Sequence, residues 1–109
     1  MKYLMTQEEF EQLIGVQPVP EGVEIPAFTV IYFTASWCGA CRRLNMPALE
    51  AALPTVNWLK CDIDQNNYTP GYCGVRSIPT FLIVKNKKVG ESLQSTSNEK
   101  VEAWIRSFM

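Results

Sequence analysis

Two cysteines stand three positions apart in Trp37-Cys38-Gly39-Ala40-Cys41, a spacing that can support sulfur chemistry. If a helix starts here, with Cys38 at its N-cap and Cys41 three positions on, both sulfurs fall within the first turn, close enough to bridge. The leading sulfur then faces unpaired backbone N–H groups and the positive end of the helix dipole, which favour thiolate over thiol. A thiolate so placed can attack an exposed disulfide, form a mixed disulfide and pass the bond to the second thiol. Arg42 and Arg43 follow at once; they either add positive potential near the sulfur or are merely solvated. An inert bridge and half of a zinc site are the competing uses of the pair. Zinc would have to recruit Cys61 and Cys73, which do not form a second short knuckle.

The rest of the composition narrows the options. The chain contains no histidine, which removes Cys–His and Ser–His–Asp nucleophile arrangements and every imidazole metal ligand. Ten basic and eleven acidic residues leave a formal charge of −1, so nothing in the balance favours nucleic acid or an anionic membrane as partner. No apolar run approaches bilayer length, and the opening residues lack a signal-peptide core. The expected location is therefore the cytoplasm, where structural thiols stay reduced and a cysteine pair points to redox or metal work. A length of 109 residues fits one domain, residues 1–109, expected to be monomeric.

The elements that must position the cysteines follow from pattern. Residues 2–5 read as a short strand, and Thr6 with Glu9 makes a capping box for a helix over residues 7–14. Gly15 can end that helix in a left-handed conformation. Residues 16–27 carry three prolines and Gly22, so they read as a rigid loop. Residues 28–33, Phe-Thr-Val-Ile-Tyr-Phe, suit a strand buried on both faces. Residues 39–53 show helical spacing with Pro47 inside, so a bend at the proline is expected. Residues 56–62 form another strand, and 65–72 a polar helical turn or loop. A hairpin of residues 80–84 and 89–93 turns at Asn86, which tolerates positive φ. A last helix begins near Thr96 or Ser97, with Glu99 placed for a capping box and Val101, Trp104, Ile105 and Phe108 as its buried stripe. This order implies an α/β fold: a central mixed sheet of four to five strands flanked by about four helices.

Three blocks in register carry a family resemblance. Phe33-x-x-x-Trp37-Cys38-Gly39-x-Cys41-Arg42, Lys60-x-Asp62-Ile63-Asp64 and Gly74-Val75-Arg76-Ser77-Ile78-Pro79-Thr80-Phe81 resemble the active-site, third-strand and cis-proline segments of thioredoxin. The resemblance spans nearly the whole chain and implies the thioredoxin fold and a protein-disulfide oxidoreductase. It makes Cys38 the attacking thiolate and Cys41 the resolving thiol of a redox-active disulfide, with no bound cofactor and no metal. Ile78-Pro79 would be a cis peptide, and the Ile78 backbone would pair with an extended substrate segment. Trp37, Gly39, Ala40, Val75, Ile78 and the Ser95-Thr96 loop would form the docking surface for disulfide-containing proteins. The implied electron donor is a thioredoxin reductase.

Departures from the family pattern accompany the likeness. The usual Gly-Pro between the cysteines is Gly39-Ala40, and the helix proline lies one residue late, with Met46 at the usual place. Thr34 and Ser95 replace a tryptophan and a groove glycine. Tyr32 stands where the family buries an aspartate beneath the disulfide, whereas that aspartate's lysine partner persists as Lys60. A buried phenol is a poor base at neutral pH, so Tyr32 reads as packing, with thiol activation left to backbone dipoles and water. Cys61 reads as a buried inert thiol, and Cys73 as a loop thiol open to modification or simply half-buried. Two other functions compete: a thioredoxin-fold binding or accessory subunit with incidental thiols, and an oxidant or isomerase of protein disulfides.

Overall fold

The apolar run that begins at Phe28 forms the middle of the molecule. In the computed structural model, which describes residues 1–109, β2 (Phe28–Thr34) is buried at every position after the first. It pairs in parallel with β3 (Asn57–Asp62) on one side and antiparallel with β4 (Thr80–Lys85) on the other. The short β1 (Lys2–Tyr3) lies parallel along the outer edge of β3, and β5 (Lys88–Gln94) closes the opposite edge antiparallel to β4. The sheet order is β1-β3-β2-β4-β5. Five strands with four α-helices match the expected mixed sheet.

Side chains alternate across the pleat, so each face of β2 collects its own core. Val30 and Tyr32 meet Trp58, Phe81 and Ile83 on one face. That face is covered by α2 (Met46–Ala52) through Leu49 and by α4 (Asn98–Arg106) through Val101 and Ile105. On the other face Ile31, Phe33, Cys61, Leu82 and Val84 pack beneath α1 (Gln7–Leu13) and α3 (Tyr68–Cys73). Parallel strands need a crossover between them, and α2 supplies the one joining β2 to β3.

Local chemistry sets most boundaries. Thr6 accepts from the Glu9 N–H while the Glu9 carboxylate accepts from the Thr6 N–H, which is the expected box. Gly15 follows α1 with φ +77°, a region costly for residues with a Cβ. The β4–β5 turn has two central residues, Asn86 (φ 51°) and Lys87 (φ 67°), the type I′ geometry that matches strand twist. The polar segment after β3 becomes α3. Buried Asn66 anchors it, its amide donating to Leu4 O and to Thr69 Oγ1 while its own oxygen accepts from Thr69 N–H.

Two expectations need correction. Residues 39–53 do not form one bent helix. A 3-10 turn (Ala40–Arg43) is followed by extended Leu44 (φ −83°, ψ 142°), and α2 starts afresh with Asn45 as N-cap. Pro47 therefore sits in the first turn of a new helix, where its missing N–H costs no hydrogen bond. The second correction concerns α4. Its N-cap is Ser97, whose hydroxyl accepts from Lys100 N–H, so Glu99 lies one position short of a capping box. Glu99 still faces the positive helix end.

Candidate active site

β2 ends at Thr34, and the chain turns sharply over Ala35-Ser36-Trp37, the turn closed by Cys38 N–H on Ala35 O at 3.1 Å. This places Cys38 at the mouth of the 3-10 turn, joined by a disulfide to Cys41 with their Cα atoms 5.3 Å apart. The Cys41 N–H donates to Cys38 Sγ at 3.1 Å. The expected helix with Cys38 at its N-cap is not formed: Gly39 is the N-cap of a short 3-10 turn. One 3-10 turn carries little macrodipole, but a directed N–H reaches Cys38 in particular. Gly39, the residue before the turn, has open space where a Cβ would stand, so the sulfurs are uncrowded on that side.

Both cysteines are nearly buried, at 5% and 7% exposure, in an apolar nest of Ala35, Ile63 and Ile78. The Ile78-Pro79 peptide is cis, as expected, and Pro79 is buried. Neither the N–H nor the carbonyl of Ile78 bonds another backbone group. Beside the disulfide runs a groove of about 550 Å³, lined by Trp37, Ile63, Pro70, Val75, Arg76 and Ile78 among others. Of the residues singled out in the sequence, Trp37, Val75 and Ile78 line this groove, whereas Gly39 and Ala40 stand exposed on the cysteine turn outside it. Ser95 and Thr96 are half-buried and do not line it.

One contact escaped the sequence reading. The Trp37 indole N–H donates to Asp64 Oδ2 at 2.8 Å, which holds a ring that is 62% exposed. Asp64 is itself set by its backbone N–H on Asp62 Oδ1 at 2.9 Å, and Ile63 between them bonds Thr34 O. In the sequence the two acids stand out only as part of the Lys60-x-Asp62-Ile63-Asp64 block. Only the exposed tryptophan of the motif, in need of a partner for its one donor, pointed toward this bond.

Tyr32 is buried in the core and stacks on Phe81, ring centroids 5.1 Å apart. Lys60 lies opposite Tyr32 in the strand register, but its ammonium sits over the Tyr3 ring, 5.3 Å from the centroid. No hydrogen bond joins the phenol to Lys60. The other two cysteines are free thiols. Burial pushes both up to about 12, and for Cys61 the neighbouring Cys73 and Asp62 push the same way.

The thioredoxin family model matches residues 4–107 of this chain. The chain belongs to the thioredoxin family. It is 31% identical over 109 aligned positions to thioredoxin H-type 1 of Nicotiana tabacum, covering 92% of this chain and 86% of that protein. Against the thioredoxin of Haemophilus influenzae it is 43% identical over 85 positions, 74% of this chain and 71% of the other. The X-ray structure of Fasciola hepatica thioredoxin superposes with a TM-score of 0.82 at 28% identity, with both chains covered completely. The fold is the thioredoxin fold. With Cys38 and Cys41 bridged in the active-site position, the protein is a thiol–disulfide oxidoreductase.

Proposed function

We propose that the protein reduces disulfides of other proteins, with Cys38 as the attacking thiolate and Cys41 as the resolving thiol. The observation that carries the assignment of roles is the Cys41 N–H aimed at Cys38 Sγ. A hydrogen bond to an ionised acceptor is roughly twice as strong as one to a neutral acceptor, so this N–H favours the anion on Cys38.

The cycle balances as follows. Cys38 S⁻ attacks one substrate sulfur, a Cys38–substrate disulfide forms, the substrate S–S bond breaks and its other sulfur leaves as a thiolate that takes a proton from water. Cys41, after losing its proton to water, attacks Cys38 Sγ. The Cys38–Cys41 bond forms and the second substrate sulfur leaves, so the substrate gains two electrons and two protons. Two electrons from a donor dithiol, for which a thioredoxin reductase is the family's source, return the pair to the reduced state. Tyr32, buried in the core and stacked on Phe81, takes no part in these proton transfers.

Trp37, Val75 and Ile78 give the substrate an apolar seat, and the unpaired Ile78 N–H and C=O can add a short strand from it. Gly39 and Ala40 flank the sulfurs without blocking approach, and Pro79, buried, follows Ile78 through the cis peptide. The thiols of Cys61 and Cys73 fit a reducing compartment such as the cytoplasm. The test is trapping: Cys41→Ser should accumulate a mixed disulfide with insulin through Cys38, and Cys38→Ser should accumulate none. Trapping through Cys41 instead would reverse the assignment. A reduction potential close to that of a strong oxidant would overturn the direction proposed.

A further inference from the structure

The break between the cysteine turn and α2 is held from a distance. Asn98, the first residue of α4, lays its carboxamide against the backbone of Asn45. Asn45 N–H donates to Asn98 Oδ1 at 3.0 Å, and Asn98 Nδ2 donates to Asn45 O at 2.8 Å. The side chain thus does what a neighbouring strand would do, one donor and one acceptor in a single plane matching the two backbone groups of one residue. Asn45 is also the N-cap of α2, its own Oδ1 accepting from Ala48 N–H at 3.1 Å.

Asn98 has a firm base. Ser97 caps α4, the Ser97 N–H bonds Ser95 Oγ at 3.1 Å, and Val101 and Ile105 fix the helix in the core. On the other side, Leu44 N–H bonds Cys41 O at 3.2 Å, so the clamped residue is linked through one neighbour to the resolving cysteine. Extended Leu44 means that the hydrogen-bond ladder of α2 does not run into the cysteine turn. The turn therefore takes its downstream anchor from Asn45, and Asn45 takes its anchor from Asn98.

This matters most in the reduced protein. While Cys38 and Cys41 are bridged, the covalent bond holds the turn. When they are thiols, only hydrogen bonds keep one sulfur beside the other, and the closeness of the two sets how readily the disulfide forms. We propose that Asn98 is a positioning residue for the redox reaction: by clamping Asn45 it keeps the Cys41 thiol poised toward Cys38 in the reduced state. The inference rests on Cys38 and Cys41 cycling as a dithiol–disulfide pair, and it concerns the spacing of the two sulfurs rather than the substrate.

The test is redox titration of the folded protein against glutathione, with the rate of mixed-disulfide resolution followed in parallel. Asn98→Ala should lower the equilibrium constant for forming the Cys38–Cys41 bond about threefold to tenfold. That is a rise in potential of roughly 15–30 mV, at ~30 mV per decade for a two-electron couple. Resolution of the Cys38–glutathione mixed disulfide should slow by a similar factor. Asn98→Asp, which keeps the acceptor for Asn45 N–H and loses the donor, should shift part of the way, and it carries the test if Asn98→Ala does not fold. Ser97→Ala serves as the control. It removes the cap of the same helix but leaves the Asn45 contacts, so its potential should match wild type. An unchanged potential in the folded Asn98 variants, or an equal shift in Ser97→Ala, overturns the proposal. Failure of the wild-type pair to cycle would count against the functional reading instead.

Discussion

Removing the carboxylate of Asp64 should slow turnover of protein substrates while leaving the fold nearly untouched. The acceptor lies 2.8 Å from the Trp37 indole nitrogen, and the ring is 62% exposed. A hydrogen bond to a charged group contributes ~1.5–3 kcal/mol when shielded, but exposure and solvent screening bring this pair toward ~1 kcal/mol. That energy chooses between a ring held over the groove and a ring free to leave it. If only the held ring gives a substrate its seat, Asp64→Ala should lower kcat/KM for insulin about fivefold, the factor equivalent to ~1 kcal/mol. Asp64→Asn keeps a neutral acceptor and should fall between the two. A small disulfide such as oxidised glutathione makes little use of the groove, so its reduction should change less than twofold. The Trp37 indole N–H resonance should move in Asp64→Ala, and the Tm should not. If insulin turnover is unaltered while that resonance shifts, the held ring is irrelevant to docking and the reasoning fails.

Three further outcomes follow from the same structure. Tyr32→Phe should keep insulin turnover within twofold and stability within ~0.5 kcal/mol, because the ring packs on Phe81 and the phenol has no protein partner; a large loss of rate in stopped-flow reduction would give the hydroxyl a role in proton transfer. Lys87→Gly should raise stability by ~1 kcal/mol in denaturant titration, since Lys87 holds φ 67° in the hairpin turn and a Cβ is costly there. Stability should also fall as pH rises from about 9 toward 12. Over that range unfolded thiols lose protons while folded Cys61 and Cys73 retain theirs, so the native state binds more protons and the slope is negative. Each thiol contributes at most ~1.4 kcal/mol per pH unit, and Cys61→Val should flatten the decline measurably against wild type.

The features legible in the sequence are those whose causes lie close together in the chain. The Thr6–Glu9 box, Gly15 after the first helix, the buried run from Phe28 and the Asn86 turn each depend on contacts within a few residues, and each was placed to within a residue or two. The cysteine pair was legible for the same reason. The misread features have distant causes. Helical periodicity continues through residues 39–53, and what supports the break there is Asn98, 53 positions away. Pro47 is legible, but the bonds from Asn98 that hold the residue capping the new helix are not. The role of Asp64 is not legible because its partner, Trp37, lies 27 positions upstream across a strand crossover. Lys60 draws notice only through the family resemblance, and although the strands set it opposite Tyr32, its flexible side chain swings toward Tyr3 at the sheet edge.

In the proposed function a backbone N–H singles out Cys38 for ionisation. The most direct measurement is the pH dependence of iodoacetamide alkylation of the fully reduced protein, with the modified residue identified by mass spectrometry. Cys38 should react first and alone at neutral pH, with its midpoint below the ~8.5 of a free cysteine, while Cys61 and Cys73, held near 12 by burial, stay unmodified. Modification of Cys41 ahead of Cys38, or a Cys38 midpoint at or above that of free cysteine, would contradict it.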